Sequence, residues 1–161
     1  MDDNKLTELS SDFSWATASF MAKLSERCYD SEGPFKDAIL PISNKSWQIK
    51  FFDFGGTQAY ALNGKDNFIL TFRGTQPTQW EDIKADLDIK KVYSSTIDGR
   101  VEGKVHRGFK YALNDVWNDI VEHMKNCETD KKQIFITGHS LGAALATLVA
   151  GRLNNSNVVL Y

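Results

Sequence analysis

The chain has 161 residues, 42% hydrophobic and 25% charged, a balance that suits one water-soluble globular domain whose core needs no disulfide or metal staple. Nineteen basic and 21 acidic residues, spread along the chain, leave a formal charge of −2, which gives no electrostatic footprint for nucleic acid or an anionic membrane. Cys28 and Cys127 lie far apart with no C-x-x-C spacing and no histidine cluster, so both read as free thiols and no zinc site or disulfide framework is expected.

The start, MDDNKLTELSSD, is polar and acidic where a signal peptide needs a basic patch and an apolar core, and no window approaches 18 apolar residues. The expectation is a flexible leader over residues 1–10, no membrane span, and a chain that is cytoplasmic at synthesis, with specialised export left open. Phe13, Ala16, Phe20, Leu24 and Cys28 then recur at helical spacing, with caps offered by Ser10 to Asp12 and a stop by Gly33-Pro34. SWQIKFFDF and QAYALN around Gly55-Gly56 predict a β-hairpin, and NFILTFRGT predicts a strand buried on both faces that ends at Arg73-Gly74-Thr75.

In PTQWEDIKADLD, Thr78 precedes Glu81 at capping-box spacing, while Trp80, Ile83 and Leu87 share a face, which predicts a short helix with a narrow apolar stripe. A polar loop holding Ser94, Ser95, Gly99 and Gly103 leads to a second amphipathic helix marked by Phe109, Leu113, Val116, Ile120 and Met124. The strand Ile134 to Thr137, a helix opened by Ser140 and a strand in NVVLY complete a single α/β domain over residues 1–161.

The segment QIFITGHSLGAALATLVAGRL carries the chemistry. In a strand, tight turn, helix unit, G-x-S-x-G places glycine two positions on either side of a serine, so that the chain reverses sharply and pushes the hydroxyl out at the strand's carboxyl end. The first amides of the following helix point into the same space, where the helix dipole favours developing negative charge. Two other uses of the geometry stand beside this one: Ser140 as a plain helix N-cap, and a phosphate-cradling loop. The second lacks the lysine of G-x-x-x-x-G-K-[ST], since none follows Lys132.

With these residues the chain resembles the class 3 lipases, the filamentous-fungal triacylglycerol lipase family and its bacterial relatives, within the α/β-hydrolase fold. MAKLSERCY, LTFRGT with WEDIKADLD behind it, VHRGF, and ITGHSLGAALATL carry the likeness, in the family's order over nearly the whole chain. The resemblance implies a mixed central sheet flanked by helices, a serine ester hydrolase working through an acyl-enzyme on glycerolipids or other carboxylic esters, and no metal or cofactor. It implies Ser140 as nucleophile, with the Leu141 N–H and Thr75, through its N–H and hydroxyl, forming the oxyanion hole. The helix holding Trp80 and Ile83 falls where the family carries its lid, and a fixed surface helix is the alternative. His106 in VHRGF reads as a satisfied structural histidine, and His139 as pointing away from the site.

The α/β-hydrolase order is serine, acid, histidine, yet none of the 21 residues after Ser140 is Asp, Glu or His. The expectation is therefore a fold truncated after the strand that follows the nucleophile helix. A complementary C-terminal segment would supply acid and base, and the C-terminal strand would be open to self-association. A lipase-fold binding module without catalysis is the alternative.

Overall fold

Runs of period-2 and period-3.6 hydrophobicity alternate along this chain, and the way they pair decides which strand end carries the serine. The computed structural model describes residues 9–42, 46–74 and 90–161. In chain order these form α1 (Trp15–Arg27), α2 (Glu32–Ile39), β1 (Gln48–Phe54), β2 (Thr57–Asn63), β3 (Asn67–Phe72), β4 (Lys91–Ser95), β5 (Val101–His106), α3 (Arg107–Asn126), a 3₁₀ turn (Thr129–Lys131), β6 (Gln133–Gly138), α4 (Leu141–Leu153) and β7 (Val158–Leu160). The expected elements at 75–89, with Thr75, Trp80 and Ile83, lie outside the described residues, as do positions 1–8.

The main sheet has the order β1-β2-β3-β6-β7, antiparallel across β1, β2 and β3 and parallel across β3, β6 and β7. Gly55 and Gly56, with φ of 59° and 82°, turn the β1–β2 hairpin, since a two-residue turn that matches strand twist needs positive φ at both places. Strand β6 lies in the interior of this mixed sheet, as its unbroken apolar run predicts.

Side chains alternate between two cores. On one face Ala59, Phe68, Leu70, Phe72, Ile134 and Ile136 pack under Leu113, Val116, Ile120 and Met124 of α3 and Leu145, Ala146 and Val149 of α4. On the other, Tyr60, Leu62, Ile69 and Phe135 pack under Phe20, Met21 and Leu24 of α1 and Phe35 and Ile39 of α2. The sheet is thus covered by helices on both sides, which is why β3 and β6 are apolar at successive positions.

Three expectations are corrected. Helix α1 is capped by Ser14, whose Oγ accepts from the Thr17 N–H at 3.0 Å, so Phe13 stays outside the helix and is 68% exposed. Gly33-Pro34 does not stop the chain but sits in the first turn of α2, where proline's missing N–H would be unbonded anyway. The polar stretch around Ser94 and Gly103 is a β4–β5 hairpin, too short of apolar residues to show as strands.

Candidate active site

Strand β6 passes into α4 through Ser140, which has φ 57° and ψ −120°, a backbone shape that L residues rarely adopt and that costs about 1–3 kcal/mol. The two motif glycines make the turn possible by close approach. A Cβ on Gly138 would run into the backbone of Gly142, and one on Gly142 would collide with the Phe72 carbonyl at the end of β3. The G-x-S-x-G spacing therefore lets the first turn of α4 lie against both β6 and β3.

Ser140 occupies the N-cap position of α4, yet its side chain makes no capping hydrogen bond, which sets aside the reading of a plain cap. The residue is exposed. Gly142 donates its N–H to the His139 carbonyl at 2.9 Å and Ala143 to that of Ser140 at 3.0 Å, whereas the Leu141 N–H takes no acceptor among the described residues. An unengaged amide thus stands beside the serine at the positive end of the helix dipole.

The serine borders a mostly apolar cavity of about 850 Å³ whose walls include Ala18, Met21 and Ala22 of α1, Tyr29, and Tyr161. The Tyr29 hydroxyl lies 3.1 Å from His139 Nδ1, and the Arg73 guanidinium sits 5.7 Å from the centre of the Tyr29 ring. Burial, and next the neighbouring Cys28, push the Tyr29 phenol above its usual range. A Cβ on Gly74 would meet the Tyr29 hydroxyl, the His139 carbonyl and, at 3.3 Å, Ser140 Cβ, so the end of β3 abuts the serine turn directly. The end of β3 and the turn after β6 thus frame one space, with Ser140 and the Leu141 amide on its rim.

The histidines are placed differently from expectation in two cases. His139 lines the same cavity as Ser140 rather than pointing away from it. His106 packs its ring 4.6 Å from that of Phe109, and among the described residues neither of its nitrogens has a partner, so it is not the satisfied histidine expected from VHRGF. His123 sits across the molecule against Phe52 and Phe68, its pKa lowered by burial and then by Lys50. Neither His106 nor His123 lines the cavity beside Ser140. Tyr29 closes the motif MAKLSERCY, yet neither that motif nor periodicity gives it a place at the serine, because it follows the end of α1 and reaches Ser140 only through the fold.

Among the described residues no helix is long and apolar enough to cross a membrane, and no group of three His, Cys, Asp or Glu side chains is placed to hold a metal ion.

The geometry has counterparts. The family model for lipase (class 3) matches residues 69–160, more than half of the chain. Phospholipase A1-IIgamma of Arabidopsis thaliana is 26% identical over 144 residues, covering 75% of this chain and 34% of its own. A triacylglycerol lipase described as having a serine protease triad for its catalytic centre superposes with a TM-score of 0.66 at 26% identity, over 89% of this chain and 58% of that one. The triacylglyceride lipase of Rhizomucor miehei gives a TM-score of 0.62 at 25% identity with the same coverage, 89% and 58%. The chain thus spans about a third of the plant relative and well under two thirds of either lipase. With the family model running from within β3 through β6, the serine turn and α4 to β7, more than half of the chain, the chain belongs to the class 3 lipase family.

Proposed function

We propose that this chain carries the nucleophile-bearing part of a serine carboxylic ester hydrolase that cleaves glycerolipids. The observation that carries the reading is the strained φ of 57° at Ser140, held together with a hydroxyl that does no capping. A non-glycine residue kept in that conformation costs stability, and the positioned hydroxyl at the strand end is what it obtains.

In the reaction, Ser140 Oγ attacks the ester carbonyl carbon while its proton passes to a general base, and the carbonyl oxygen becomes an oxyanion. The Leu141 N–H, with Thr75 through its N–H and hydroxyl, stabilises that oxyanion. The alcohol leaves with the proton, and water then releases the acid from the acyl-enzyme. Serine, base and amide donors suffice for each step, so no cofactor is invoked. The apolar cavity beside Ser140 suits an acyl chain, in keeping with the triacylglycerol lipase and phospholipase names of the relatives.

The triad acid and histidine come, in this reading, from a C-terminal segment that follows the serine in the family's chain order. Its seat is the outer edge of β7, which pairs with nothing among the described residues and is also where a second copy could add. The segment with Trp80 and Ile83 acts, in the same reading, as the lid.

The test is hydrolysis of p-nitrophenyl butyrate, a triacylglycerol emulsion and phosphatidylcholine by the native protein, with fluorophosphonate labelling in parallel. Label on Ser140 and loss of turnover in Ser140→Ala are expected. A protein that binds lipid with neither label nor turnover would be the catalytically inactive binding module instead.

A further inference from the structure

We infer that Tyr29 is a positioning residue for the Ser140 centre, its hydroxyl holding His139 and so the serine turn against the end of β3. The inference rests on the proposed role of Ser140. Three contacts converge on this one side chain. The hydroxyl is 3.1 Å from His139 Nδ1, the ring lies under the Arg73 guanidinium at 5.7 Å, and the hydroxyl occupies the space that a side chain on Gly74 would need. Tyr29 therefore touches both strand ends that frame the reaction space, from the turn that follows α1.

Ser140 cannot relax to an ordinary φ without moving His139, its neighbour in the turn, and the His139 carbonyl is already engaged by the Gly142 N–H at 2.9 Å. Fixing the imidazole as well leaves the turn with one arrangement. The chemistry fits: a tyrosine hydroxyl can donate to an unprotonated imidazole nitrogen, and the Arg73 guanidinium faces the ring at cation–π range. Phenylalanine would keep the ring and lose only the bond.

The experiment compares wild type, Tyr29→Phe, His139→Leu, the double variant, His139→Asn and Ser140→Ala in the native protein, with p-nitrophenyl butyrate as substrate. Removing one hydrogen bond predicts a roughly three- to tenfold fall in kcat for Tyr29→Phe with KM changed less than about twofold. His139→Leu should fall at least as far, and the double variant no further than His139→Leu alone. His139→Asn, whose amide oxygen replaces the Nδ1 acceptor, should lose markedly less than His139→Leu. Backbone amide resonances of Ser140 and Leu141 read the same coupling without turnover and should move in Tyr29→Phe. Unchanged kcat and unmoved amides in Tyr29→Phe would overturn the inference while loss in Ser140→Ala left the proposed function standing. Full turnover in Ser140→Ala would instead overturn the proposed function, and the amide shifts alone would then decide the tie between Tyr29 and His139.

Discussion

Ser25 Oγ on α1 and Thr137 Oγ1 on β6 are buried and 2.9 Å apart, which ties the N-terminal helix to the strand just upstream of Ser140. Ser25 also bonds the Met21 carbonyl at 3.0 Å, and a serine hydroxyl has one proton to give, so Thr137 must be the donor in the pair. The two halves of the bond are therefore unequal. Ser25→Ala strands a buried Thr137 hydroxyl and should cost about 1–3 kcal/mol, while Thr137→Val leaves Ser25 still bonded and should cost less. Urea denaturation of both single variants and the double variant checks this; the double should be less destabilised than the sum.

The strain at Ser140 makes an opposite prediction for stability. Glycine adopts φ 57° without penalty and alanine does not, so Ser140→Gly should be more stable than Ser140→Ala. Strain of about 1–3 kcal/mol less a glycine entropy of about 0.5–1 gives a difference of up to about 2.5 kcal/mol. Equal denaturation midpoints for the two would mean that the serine turn is unstrained.

Two glycines of α4 should respond in opposite ways to alanine. At Gly142 the added methyl meets the backbone of Phe72 and Arg73, which cannot swing aside, so the variant should lose about 3 kcal/mol or more. At Gly151 nothing lies within 4 Å, and helix propensity should add up to about 1 kcal/mol. Melting temperatures should separate accordingly, by roughly 2–4 °C per kcal/mol at this size.

Cys28 sets an alkaline limit. Burial pushes its thiol up to about 12 from 9.0, against the lesser pull of the Thr71 side chain and the charge of Arg73. The folded protein holds the neutral thiol, so this group's contribution is fully present below about pH 9 and is lost progressively as pH rises towards 12. Denaturation midpoints measured from pH 8 to 11 should fall more steeply for wild type than for Cys28→Ala. The same burial predicts that the native thiol resists iodoacetamide until the protein unfolds.

Much of this molecule is legible from residue order. Leu113, Val116, Ile120 and Met124 at helical spacing place α3, and Gly55-Gly56 between two apolar runs places the hairpin, because helix and turn geometry are local consequences of spacing and of positive φ. Helix α2 is not legible in the same way: Gly33-Pro34 carries the same local signal whether it ends one helix or begins the next, and the burial of Phe35 and Ile39 against Tyr60 is what decides. The β4–β5 hairpin likewise carries too few apolar residues to announce it.

At the site, the sequence by itself determined the tight turn, the serine at its apex and the glycines that let three elements meet, since each follows from residue size at fixed spacing. The tertiary structure alone decided which distant side chains share that space. It set Tyr29 against His139, joined Ser25 to Thr137, and left His106 and His123 away from the cavity. The physical reason is that a turn is selected by the bonds of a few neighbours, whereas those contacts depend on how α1 packs on a sheet in which β3 and β6, far apart in the chain, lie side by side.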